Sequence, residues 1–180
     1  FTERDLTSVK AVDDFKPTEL LRALDSMNNG FDYNGGKLRS PTAFCVGASI
    51  DLGRDVQSEA RLTRKKVEAG AQFFLLQALF DPRPLKEFFA TYTQMYGEGL
   101  STPVFCGIQV MVPDSLVFGD IPSWVTDDLA KGRLGEEIAI QLLQRFVDEG
   151  FRSIYLIPPI LRGGRRDYQA AQRVLKAFGR

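Results

Sequence analysis

The chain has 180 residues, with 44 % apolar and 26 % charged side chains, and its twenty-three basic residues balance twenty-three acidic ones. That composition suits a globular domain and gives no global field for nucleic acid or an anionic membrane surface. Without a histidine, the Ser-His-Asp and Cys-His nucleophile systems and every His-containing zinc site are excluded. No apolar run approaches the ~18 residues of a membrane span, and the low cysteine count suits a reducing, cytoplasmic setting.

In chain order, residues 1–16 are polar and mixed, without a clear period. Pro17 opens a helix whose Leu20, Leu21 and Leu24 share a face, and Asn28-Asn29-Gly30 stops it. Thr42 to Ser49 reads as a strand buried on both faces. Asp51 to Ala71 reads as an amphipathic helix with Val56, Ala60, Leu62 and Val67 inside and Arg61, Arg64, Lys65 and Glu68 mainly wet. The unit then repeats: strand Gln72–Ala78, helix Pro84–Tyr96, strand Pro103–Gln109, helix Leu134–Glu149, strand Ser153–Pro158, helix Asp167–Phe178. Strands alternating with such helices predict βαβ units and a parallel sheet. Val110 to Asp128 breaks the rhythm with only a short turn of helix after Ser123, and loops of that length are often functional. Cys45 and Cys106 sit in apolar runs and read as buried structural thiols; Trp124 reads as core.

Ligands of parallel α/β folds meet the C-terminal ends of the strands. That rule selects Gly47 to Asp51, Gln77-Ala78, Gly107 to Gln109 and the residues after Pro158. Gln77 stands out, because an amide within FFLLQALF is costly to bury unless both ends are hydrogen-bonded. Its donor-acceptor edge matches a pterin, and neighbouring backbone would satisfy it equally. Glu59 and Lys66, two helical turns apart, present an acceptor and a cation on one face; they read either as a dinucleotide contact or as a solvated ion pair. Ala48 and Ser49 are small enough to admit a flat ring or to allow tight helix packing. Arg162, in Arg162-Gly163-Gly164-Arg165-Arg166, could hold a phosphate or a carboxylate tail, or remain solvated. No GxGxxG or P-loop is present.

The run RKKVEAGAQFFLLQALFD, Arg64 to Asp81, is similar to a signature of methylenetetrahydrofolate reductases. Pro41–Ser49, Pro103–Ile108, Ile121-Pro122 and Gly135–Pro159 extend the resemblance to the fifth, seventh and eighth strands of that family. It implies an α/β fold, a partial (β/α)8 TIM barrel made of the second half of the barrel, with residues 1–180 as one domain incomplete at its N-terminus. It also implies FAD, hydride transfer from NAD(P)H or another reductant to 5,10-methylenetetrahydrofolate, and 5-methyltetrahydrofolate as product. By position, Gln77 would bind the folate, with Gln109 and Arg162 as further substrate contacts, while Ala48, Ser49, Glu59 and Lys66 would contact FAD. The family's acid glutamate belongs to a strand that these residues do not contain, so no catalytic residue is identified. Ser49, Arg54, Leu76 and Ile157 stand where the family has Tyr, His, Thr and Tyr. The alternatives are a non-catalytic barrel subunit binding folate or a partner, and a reductase with a different flavin-like cofactor. Half a barrel leaves sheet edges unpaired, so either the missing strands belong to the same polypeptide or an oligomer or a second chain completes the barrel.

Overall fold

The computed structural model describes residues 14–113, 115–117 and 120–179. The expectation for residues 1–16 falls almost entirely outside them. The elements are α1 (Pro17–Asn28), β1 (Gly47–Ile50), α2 (Val56–Glu68), β2 (Phe73–Ala78), α3 (Arg83–Tyr96), β3 (Val104–Gln109), α4 (Ser123–Ala130), α5 (Gly135–Asp148), β4 (Ile154–Ile157), a 3-10 turn (Arg162–Gly164) and α6 (Tyr168–Phe178). The strands form one parallel sheet in the order β1-β2-β3-β4, consistent with part of an α/β barrel. Between β3 and β4, Cys106 faces Ile154, Gly107 faces Tyr155 and Gln109 faces Ile157.

The described residues divide into two compact units. The first comprises residues 14–75 and 85–104. Here α1 begins at Pro17, and the Lys16 N–H donates to the Glu19 carboxylate at 2.8 Å. Its last residue, Asn28, grips the following segment: its amide nitrogen donates to the Phe44 carbonyl, and its oxygen accepts from Phe44 N–H and Thr42 Oγ1. With both main-chain groups of Phe44 taken by a side chain, residues 42–46 do not pair as a strand. The expected strand over Thr42–Ser49 therefore shrinks to Gly47–Ile50. Nor is it buried on both faces, because Gly47 and Ser49 are exposed and Ile50 is buried. Cys45, expected inside, is exposed as well.

The second helix also starts later than its sequence suggests. Asp51 folds residues 51–54 into a turn by accepting from Gly53 N–H at 3.0 Å and Arg54 Nε at 3.1 Å. Asp55 then caps the Ser58 N–H at 2.8 Å. The helix is rotated from the expected face, for its buried residues are Glu59, Ala60, Thr63 and Lys66. Val56, Leu62 and Val67 are only half-buried.

The second unit comprises residues 76–84 and 105–179. Its core contains Leu76, Cys106, Ile108, Val110, Met111, Val125, Phe146 and the buried stripes of α5 and α6. Ile138, Leu142 and Phe146 recur at helical spacing on α5, and Ala170, Ala171 and Val174 on α6. Asp167 caps α6 through Gln169 N–H and Ala170 N–H. At the other helix start, Gly135 packs against the Met111 main chain, where an added Cβ would lie 1.5 Å from the carbonyl oxygen. The stretch expected to be mostly loop carries the eight-residue helix α4. Trp124 on it is half-buried rather than core.

Candidate functional site at the strand ends

The second unit brings Gln77, Gln109 and Arg162 to the C-terminal ends of β2, β3 and the β4 exit. Strand alternation decides the environment of Gln77. Leu76 is buried, Gln77 exposed, and the Gln77 amide has no hydrogen bond among the described residues. The burial cost expected for it does not arise. What remains is a primary amide offered to solvent at a strand end.

Gln109 is different. It is 2 % exposed, and its amide nitrogen donates to the Leu116 carbonyl at 2.8 Å. Leu116 N–H in turn donates to the Ile160 carbonyl at 2.8 Å. This side chain ties the loop after β3 down, and the loop's backbone ties to the exit of β4. Arg162 lies exposed in the 3-10 turn. The turn is shaped by Leu161 N–H to the Arg165 carbonyl (2.9 Å), the Ile160–Arg166 bridge and left-handed Gly163 and Gly164. A nearby cavity of about 260 Å³ is lined by Met111, Val112, Pro113, Ile121, Thr126 and Leu129.

Sequence reasoning missed Tyr155. Its hydroxyl donates to the Leu76 carbonyl at 2.5 Å, so the side chain reaches from β4 across β3 to β2. It passes over Gly107, where an added Cβ would meet that hydroxyl at 2.9 Å and the Gln77 carbonyl at 3.0 Å. Burial, and then the adjacent Cys106, raise the phenol above its ordinary range, which keeps it a proton donor. Only the pairing of Gly107 with Tyr155 could have revealed this, and pairing is not written in either segment alone.

In the first unit, Ala48 is half-buried and Ser49 exposed on β1. Glu59 and Lys66 are not a solvated pair: their side chains are 1 % and 7 % exposed, with Nζ 3.3 Å from Oε1. Lys66 Nζ donates to the Ser49 carbonyl at 2.5 Å, and Asp51 N–H donates to Glu59 Oε1 at 3.2 Å. The pair thus clasps the main chain on both sides of Ile50. Glu59 Oε2 and Thr63 Oγ1 are buried without a hydrogen-bond partner among the described residues. Cys106 is buried with its thiol pushed up to about 11. No group of three or more His, Cys, Asp or Glu among the described residues could hold a metal. No described helix is long and apolar enough to cross a membrane.

No protein-family model and no curated protein matches the chain. A solved structure does. It is an uncharacterized protein from Clostridium thermocellum that binds two copies of 5-methyl-5,6,7,8-tetrahydrofolic acid, similar with a TM-score of 0.53 at 14 % identity. The likeness is one of fold. It covers 73 % of this chain and 52 % of that one, so the match spans about half the length of the solved protein.

Proposed function

We propose that the chain binds a reduced folate at the C-terminal ends of β2, β3 and β4, with the Gln77 amide reading the pterin edge. The observation that carries this reading is the exposed Gln77 amide at a strand end, free of hydrogen bonds among the described residues. An amide already bound to backbone would have to break those bonds before accepting a ligand; this one does not. Support also comes from the fold shared with a protein that binds 5-methyltetrahydrofolate. Arg162, exposed at the exit of β4, is placed to meet a carboxylate tail through charge-assisted hydrogen bonds. Gln109 acts on the ligand by holding Leu116 after β3, since its amide nitrogen donates to the Leu116 carbonyl. Titration calorimetry with 5-methyltetrahydrofolate tests the reading. Gln77→Leu should weaken binding at least tenfold while thermal stability changes little. An equal loss of both would make Gln77 structural.

The finer reading is a methylenetetrahydrofolate reductase-type oxidoreductase, and it rests on the Arg64–Asp81 resemblance. In it FAD would supply hydride transfer between a nicotinamide or other reductant and 5,10-methylenetetrahydrofolate. Ala48 and Ser49 fit such a group, because a small, partly open strand end lets a flat ring approach. Glu59 and Lys66 fit it poorly as direct contacts, for their polar atoms already hold Ser49 and Asp51. Their part would be to hold the strand end against which the ring lies. Visible flavin absorbance in the purified protein would support the reductase. Folate-induced thermal stabilisation without flavin would favour a folate-binding subunit or another flavin-like cofactor, since a ligand stabilises the state it binds. We further propose that additional βα units, from elsewhere in the same polypeptide, a second chain or another copy, complete the barrel beside β1 and β4. Light scattering showing that these 180 residues alone form a monomer that binds folate fully would refute this.

A further inference from the structure

Neither the sequence reading nor the resemblance assigns Tyr155 a role, yet it ends at the peptide bond that leads into Gln77. We infer that Tyr155 is a positioning residue for ligand recognition: its hydroxyl, held on the Leu76 carbonyl, fixes the Leu76–Gln77 peptide and thereby aims the Gln77 amide. The inference rests on the folate reading above, and it concerns the same site.

Three observations of the second unit support it. The hydroxyl donates to the Leu76 carbonyl at 2.5 Å, across an intervening strand. Gly107 leaves the space that this crossing needs, since any β-carbon there would approach the Tyr155 hydroxyl and the Gln77 carbonyl together. On the far side of the same residues, Leu79 N–H donates to the Gly107 carbonyl at 2.8 Å. The main chain around Gln77 is therefore held before it by Tyr155 and after it by Gly107, while the amide itself stays unbound. A side chain anchored in this way loses less orientational freedom when a ligand arrives, and preorganisation of that kind raises affinity without adding a contact.

The experiment is a double-mutant cycle on 5-methyltetrahydrofolate affinity, using the full chain with Tyr155→Phe, a weakened Gln77→Asn, and both together. Tyr155→Phe keeps the ring and deletes only the hydroxyl. It should weaken binding about fivefold, the equivalent of one net hydrogen bond. In the Gln77→Asn background the same change should have little further effect, because the group being aimed is already displaced. Gly107→Ala, whose β-carbon would crowd the hydroxyl at 2.9 Å, should reproduce the loss. In spectra of the bound protein, Tyr155→Phe should shift the Gln77 side-chain amide signals. Equal effects of Tyr155→Phe in both backgrounds, or unchanged affinity with only a lower melting temperature, would overturn the positioning role and leave the folate reading intact. An absence of 5-methyltetrahydrofolate binding by the parent chain would overturn the folate reading, and this inference with it.

Discussion

Two glutamines at strand ends meet opposite fates. Gln77 and Gln109 each follow an apolar run, but Gln77 is exposed with its amide open, while Gln109 is buried and bound to Leu116. Glu59 and Lys66, two helical turns apart on one face, read in the sequence either as a dinucleotide contact or as a solvated ion pair. They are buried because β1 ends beside them and its main chain needs partners. Removing one member of such a pair strands the other charge in a poor solvent, which costs about 3–5 kcal/mol. Lys66→Met should therefore lower unfolding stability by that order in denaturant titration, because Glu59 would be left uncompensated. Glu59→Gln/Lys66→Met together should recover part of it. A Lys66→Met variant as stable as the parent would show that the ammonium is not holding Ser49.

At the scale of elements, helix extents were legible where caps and apolar spacing agreed. Pro17, Asn29-Gly30 and the α5 and α6 stripes are such places. The strand expected over Thr42–Ser49 forms only from Gly47 to Ile50 for a physical reason: an apolar run states a preference for burial, not a hydrogen-bond partner. Asn28, fourteen residues upstream of Thr42 and sixteen of Phe44, supplies that partner and diverts the chain from the sheet. Helix α5 depends on a glycine for close approach rather than for a turn. Gly135→Ala should destabilise the protein by about 1–3 kcal/mol, as overpacking does, because the Met111 carbonyl must move away. The melting temperature would report it. A neutral result would mean that the α5 start shifts freely, and it should then come with altered packing around the cavity that Met111 lines.

For the whole molecule, burial sorts the two thiols into different reactivity classes. Cys45 is exposed, whereas Cys106 is buried and its thiol stays protonated up to about pH 11. Thiolate is the reactive form. One thiol should thus react with an aromatic disulfide reagent at once, and the second only as the protein unfolds. The Cys45→Ser variant should retain only the slow phase, whose rate then tracks opening of the second unit. A fast phase in that variant would contradict the burial of β3.

By itself the sequence determined the βα rhythm and the parallel sheet, and it nominated the strand ends as the place to look for a ligand. These follow from apolar periodicity and from turn chemistry, which are local properties of the chain. Tertiary structure alone decided that Glu59 and Lys66 clasp a strand end, that Gln77 stays open while Gln109 closes, and that Tyr155 crosses Gly107 to reach Leu76. Each depends on which distant backbone group comes within about 3 Å of a side chain, and that is set by strand pairing and helix rotation, which no short segment encodes.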